Sequence, residues 1–243
     1  AAATVDVMAI ELVGQVRAVC VGDVGALAVG SRTEESAFVK TPVDGPVRLS
    51  VLGFAGDAHV YEGHGGPDMA VLAYPYEHYA HWRDLGIDIP DAGALAENLT
   101  VTGLVETDVH LGDIFELGTA LVQVAQPRLP CYKIAARYRR KEMAVEAQQT
   151  GFNGYLMRVL DEGDVAAGDA MRLIDREPHG VTVAEAGRVA GADRNDGEVV
   201  KRVLAVESLG SSVRRLLNAR VANHESSGPD TDRLYGEGGT SDL

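Results

Sequence analysis

Hydrophobic and polar positions along this chain change character twice. Up to about residue 175 the apolar residues fall into short runs: Val13–Val21, Val47–Leu52, Met69–Tyr74, Asn98–Val101, Ile114–Leu117, Ala120–Ala125, Tyr155–Leu160 and Met171–Ile174. These runs are rich in β-branched or aromatic residues, which predicts strands. Gly-Asp pairs at 22–23, 56–57, 112–113, 163–164 and 168–169 mark corners, because Gly tolerates positive φ and Asp makes local turn bonds. The clearest hairpin runs from Gly112 to Val124 around Leu117-Gly118-Thr119. Two helices are predicted within this part, Pro75 to Leu85 and Glu142 to Gln149, the second closed by Gly151. Many short strands without regular βαβ alternation predict a mainly β fold, a closed or rolled barrel over residues 10–177. After Pro178 the spacing becomes helical. Val183–Ala190, Glu198–Glu207 and Ser211–Val221 predict a three-helix module over residues 178–222, too small to be very stable alone and so packed on the barrel. Residues 223–243 read as a largely disordered tail with a docking patch at Leu234-Tyr235.

Composition narrows the function classes. The chain has 243 residues, 46% of them hydrophobic, and a formal charge of −14. That charge argues against a nucleic-acid polymer or an anionic membrane surface as the main partner, since both need a broad positive footprint. No apolar run approaches the roughly 20 residues of a membrane span, and the start lacks a secretory pattern, so a soluble cytoplasmic protein is expected. The two cysteines, Cys20 and Cys131, write no disulfide framework and no Cys-x-x-Cys metal site.

Charge is concentrated in one place. From Leu117 to Lys141 there is no Asp or Glu, and Arg128, Lys133, Arg137, Arg139, Arg140 and Lys141 supply six of the chain's 22 basic residues. Cys131 sits inside this island, after Pro127 and Pro130. Positive potential stabilises thiolate over thiol, and thiolate is both nucleophile and soft metal ligand. The same cations would hold an anion beside the sulfur. A buried, inert cysteine is the alternative; Cys20, at the end of an apolar strand, is expected to be that.

Other constellations carry two readings each. His64, Gly65, Gly66 and Asp68 combine backbone freedom with an imidazole and a carboxylate, either as an anion- or ring-binding loop or as a polar turn. Glu97-Asn98 presents a carboxylate and an amide at a strand mouth or simply enters the strand, and Thr150-Gly151 offers hydrogen-bonding groups or simply ends a helix. His78 and His81 share a helix face, where packing is favoured over zinc.

Taken in order, Gly53-Phe54-Ala55-Gly56-Asp57, His64-Gly65-Gly66-Pro67-Asp68-Met69-Ala70, Tyr74-Pro75-Tyr76-Glu77-His78-Tyr79, Glu97-Asn98-Leu99, Gly112-Asp113, Gln126-Pro127-Arg128-Leu129-Pro130-Cys131-Tyr132-Lys133 and Thr150-Gly151 resemble the YiiM-like branch of the MOSC family, named for the molybdenum cofactor sulfurase C-terminal domain. The resemblance covers about residues 10–175, and the helical part is similar to the three-α module that follows the domain in that branch. It implies a β-barrel holding the molybdenum cofactor, molybdopterin, with Cys131 as molybdenum ligand or sulfur carrier; pyridoxal phosphate is not expected. Arg128, Lys133 and Arg137 would neutralise phosphate or the oxo-metal anion, with Gly65, Gly66, Asn98 and Thr150 in the binding set. His64, Asp68 and Glu97 would line the mouth and handle protons or substrate. The resemblance also implies reductive detoxification of N-hydroxylated purines such as 6-N-hydroxylaminopurine, with an external reductase as electron donor. Where the family usually has Phe-Gly-Glu-Asn-Leu, this chain has Leu95-Ala96-Glu97-Asn98-Leu99. Three functions are therefore carried forward: a molybdenum-dependent reductase, a cofactor or sulfur carrier docking to partners, and a non-catalytic anion-binding barrel; a homodimer is open for each.

Overall fold

A computed structural model describes residues 12–58, 60, 66–191, 196–223 and 231–236. In chain order its strands and helices begin with β1 (Val13–Val21), β2 (Gly25–Val29), β3 (Arg32–Ser36), β4 (Thr41–Pro42), β5 (Val47–Ser50) and β6 (Gly53–Phe54). Then come β7 (Val71–Pro75), α1 (Tyr79–Asp84), β8 (Leu99–Thr102), β9 (Ile114–Leu117), β10 (Ala120–Pro127), α2 (Tyr132–Tyr138) and α3 (Met143–Thr150). β11 (Tyr155–Asp161), β12 (Gly163–Val165), β13 (Ala170–Asp175), α4 (Val183–Ala190), α5 (Gly197–Ala205), α6 (Ser211–Asn223) and α7 (Thr231–Tyr235) complete the described chain.

Seven strands close on themselves in the order β13, β9, β10, β11, β7, β8, β1, and pairing of Val13 with Arg172 joins the last to the first. Closure removes the exposed edges of a sheet of short strands. All neighbours are antiparallel except β7 and β8, which run parallel and are linked through α1 and the loop that follows. Period-two alternation fills the interior: Val16, Val71, Ala73, Val101, Phe115, Leu117, Val122, Val124, Met157 and Met171 belong to one buried cluster. β7 is buried along its whole length because its outer side is covered too. There Tyr74 joins Tyr79, Trp82, Leu95, Ile134 and Met143 in a second core, bounded by α1, α2, α3 and the β2–β3 hairpin. The Trp82 indole N–H donates to Tyr74 Oη at 2.7 Å, and Tyr74 donates to Phe152 O, so the polar ends of both rings are satisfied inside that core.

The helices after residue 182 share the barrel's core: Val183, Ala186, Val189, Val203, Leu209, Val213 and Leu217 are buried with it. Thr182 caps α4 by accepting from Glu185 N, and the Glu185 side chain accepts from Thr182 N, a reciprocal capping box. Docking of α6 depends on a close approach. Gly210 N donates to Ala125 O at 2.8 Å, and a Cβ at Gly210 would stand 2.3 Å from Gln126 Oε1.

At the expected docking patch Leu234-Tyr235 the tail forms α7, where Leu234 is 1% exposed and the helix packs on α2 and α3. Among the described residues no helix is long and apolar enough to cross a membrane.

Candidate functional site

The site lies where β10 leaves the barrel. Its last residues, Gln126 and Pro127, run directly into Arg128, and three residues later Cys131 begins α2 in extended conformation, φ −131° and ψ 166°. A cavity of about 320 Å³ opens against this segment. Its wall includes Arg128, Cys131 and Lys133 from the segment, Ala96 and Asn98 from the preceding loop, Lys40 from before β4, Ser212 from α6 and Arg233 from α7. Cys131 is partly exposed there. Cys20 is fully buried, and burial chiefly pushes its thiol up to about 12, which leaves Cys131 as the cysteine available for chemistry.

Arg128 is the electrostatic centre. It is 7% exposed; Nη2 donates to Leu95 O at 3.3 Å, while buried Nη1 has no hydrogen-bond partner. Burial lowers its pKa, opposed by nearby Cys131, Tyr74 and Glu97. A buried guanidinium N–H left unpaired is costly, so the position is suited to an acceptor supplied from the cavity. A carboxylate or phosphate oxygen would satisfy it.

The Cys131 segment also sets the loop opposite. Arg137 donates to Gly93 O at 2.7 Å, the Tyr138 hydroxyl to Ala94 O at 2.7 Å, and Arg128 to Leu95 O, so three consecutive carbonyls are held from one side. From the other side the Glu97 carboxylate accepts from Ala94 N, Leu95 N, Thr100 Oγ1 and the Tyr79 hydroxyl. Burial, with Glu97 adding to it, raises the pKa of Tyr79, which stays a donor. Between these clamps Ala96 takes φ +69°, the left-handed region that favours glycine. It does so on the cavity wall.

This geometry revises several expected roles. Glu97 is wholly buried and faces the loop backbone and Tyr79, not the cavity mouth. Asp68 does not line the cavity either: it accepts from Arg158 Nε and Nη2 and from Ser211 N, tying the 3₁₀ turn Pro67–Met69 to β11 and the start of α6. Arg137 is turned to Gly93 O, away from the cavity. Thr150 Oγ1 donates to Glu146 O and accepts from Phe152 N, ending α3. Gly66 starts the 3₁₀ turn at φ +88°. His64 and Gly65 lie outside the described residues. His78 pairs with Glu106 at 2.6 Å and stacks on Phe152, and His81 pairs with Glu146, so both serve packing; among the described residues no cluster of three or more His, Cys, Asp or Glu could hold a metal.

Asn98 does line the cavity, but its amide is already engaged: Oδ1 accepts from Leu72 N at 3.1 Å, and Nδ2 donates to Asp57 Oδ2 at 2.8 Å. Asp57 also accepts from Gly22 N and pairs with Lys40, whose ammonium is nearly buried on the cavity wall. The Gly56-Asp57 corner thus conceals a structural carboxylate. Lys133 lies on the wall with no hydrogen bond or ion pair to the described residues. Lys40, Ser212 and Arg233 were not legible as site residues, because nothing local in sequence connects them to Cys131.

A closed seven-stranded barrel leads into a segment bearing a partly exposed thiol, with a buried arginine and further cations around one cavity, the layout of a barrel protein with a candidate small-molecule site. The MOSC domain model matches residues 60–172. The YiiM protein of Escherichia coli is 38% identical over 192 residues, covering 76% of this chain and 84% of that protein. The crystal structure of YiiM from Geobacillus stearothermophilus superposes with a TM-score of 0.73 at 33% identity, covering 86% of this chain and 99% of that one. A protein of Gibberella moniliformis named Reductase is 39% identical over 145 residues, which is 58% of this chain and 26% of that protein. The chain belongs to the MOSC domain family, on its YiiM-like branch.

Proposed function

We propose that the cavity holds the molybdenum cofactor, with Cys131 as thiolate ligand, and that the protein reduces N–O bonds of N-hydroxylated compounds such as 6-N-hydroxylaminopurine. The observation that carries this reading is Arg128: a buried, partly unpaired guanidinium on the same wall as the partly exposed thiol. A cofactor combining a soft metal and an anionic tail needs both groups. The cavity volume lies at the lower end of the range for small-molecule sites, roughly 300–1,000 Å³.

When bound, the cofactor would supply two-electron redox chemistry. Arg128 and Lys133 would balance its negative charge. Reduction of a hydroxylamine takes two electrons and two protons, breaks the N–O bond and releases amine and water. The electrons come from an external reductase. Lys133 is the lysine of the cavity wall without an ion pair among the described residues, so it is the proton donor assigned here. The name of the fungal relative supports the reductase class.

Molybdenum-loaded full-length protein with an artificial reductant should convert 6-N-hydroxylaminopurine to adenine, followed chromatographically beside smaller hydroxylamines and oximes. Lys133→Met should lower turnover per bound molybdenum about tenfold or more. One observation favours a second reading, a cofactor or sulfur carrier: none of the described cavity-lining residues is Asp or Glu. Loaded protein that turns over no member of the panel contradicts the reductase and leaves the carrier.

A further inference from the structure

The C-terminal helix brings a cation to the cavity from the far end of the chain. Arg233 lies on the wall with Cys131, and its guanidinium donates from Nη1 to Pro130 O and from Nη2 to Gln148 Oε1. Pro130 is 103 positions earlier in sequence and immediately precedes Cys131. Leu234, buried beside α2 and α3, anchors the helix, and Gly236 N closes it on Asp232 O at 2.8 Å. Arg233 is therefore tied to the peptide that leads into the thiol. Guanidinium keeps its charge at any working pH. It shares the wall with Arg128, Lys133 and Lys40, the last already paired with Asp57 behind the wall, and the described lining contains no acidic residue.

We propose that Arg233 is a selectivity residue of the Cys131 cavity, favouring anionic over neutral molecules as partners of the thiol, and that α7 completes the site. This rests on the reading of Cys131 as the reacting group of the cavity. The chemical class selected is a small carboxylate, phosphate or comparable anion.

Selectivity can be read from the sulfur itself. In full-length protein made in a host that cannot synthesise the cofactor, alkylation of Cys131 by iodoacetate and by iodoacetamide is timed by peptide mass spectrometry. Each reaction forms an S–C bond and releases iodide, so the ratio of the two rates, divided by the same ratio for glutathione, cancels the thiolate fraction and reports the charge around the sulfur. The parent ratio should exceed that of glutathione, Arg233→Gln should lower it about threefold, and Arg233→Lys should keep most of it. Ending the chain at Asn223 should match Arg233→Gln, and high salt should shrink the parent's excess. A ratio unchanged in Arg233→Gln, or lowered as much by Arg233→Lys, overturns the proposal. Metal retention separates this from the cofactor reading: molybdenum bound by the parent with an unmoved ratio removes Arg233 alone, whereas a shifted ratio in protein that never takes up metal removes the cofactor and leaves Arg233.

Discussion

Ala96 holds φ +69° on the cavity wall, at the position where related sequences were expected to carry glycine. A left-handed conformation costs an alanine roughly 1 kcal/mol, because Cβ crowds the following carbonyl. The clamps from Arg128, Arg137, Tyr138 and Glu97 enforce it. Ala96→Gly should therefore raise stability by up to about 1 kcal/mol, or about 2–4 °C in melting temperature, and admit bulkier hydroxylamines; a lower melt would show that the conformation is not strained. Glu97 carries the opposite lesson. Its carboxylate only accepts, and Glu97→Gln would set an amide N–H₂ against backbone N–H groups, costing about 2 kcal/mol in denaturant unfolding. Slower turnover with unchanged stability would restore a direct proton role for Glu97.

At the scale of elements, Asp68 ties β11 to α6 through Arg158 and Ser211 N. Partial burial pushes its pKa up, but the Ser211 N–H and Arg158 outweigh that and hold the carboxyl below its usual value. Because the folded pKa is depressed, the stabilisation is present above the unfolded value, about 3.9, and is lost as pH falls through the folded one. Asp68→Asn should thus be less stable than the parent at pH 7, with the gap closing towards pH 3; a constant gap would contradict the linkage. The same scale shows what was readable in advance. The barrel strands announced themselves by β-branched alternation, and the Gly112–Val124 hairpin was found in register, Ala120 opposite Leu117. The β2–β3 hairpin was missed because Ala26-Leu27-Ala28-Val29 has only one β-branched residue and its partner Arg32–Ser36 has no apolar residue at all. Helix α2 was missed because Cys131 makes no side-chain cap bond and two prolines precede it; burial of Ile134 and Ala135 in the second core forms it instead.

For the whole molecule, the barrel positions one end of β10, and three separate regions close around it: the segment bearing Lys40, the loop bearing Ala96, and the helices bearing Ser212 and Arg233. Cys131, Arg128, Lys133 and Asn98 could be read from sequence because they stand in compact motifs, three of them in one run. Of the six cations in that run, only Arg128 and Lys133 reach the cavity, since a helix turns Arg137 to Gly93 O and leaves Arg139, Arg140 and Lys141 elsewhere. Lys40 and Arg233 replace them through tertiary routes that no local pattern encodes. Molybdenum content of full-length protein from a cofactor-producing host, measured per chain for the parent, Cys20→Ala and Cys131→Ala, tests the assignment of the thiol most directly. Metal should persist in the parent and in Cys20→Ala, which loses about 1 kcal/mol of stability from its buried site, and should vanish from Cys131→Ala with the melt unchanged. Equal molybdenum in Cys131→Ala and the parent would contradict Cys131 as the ligand.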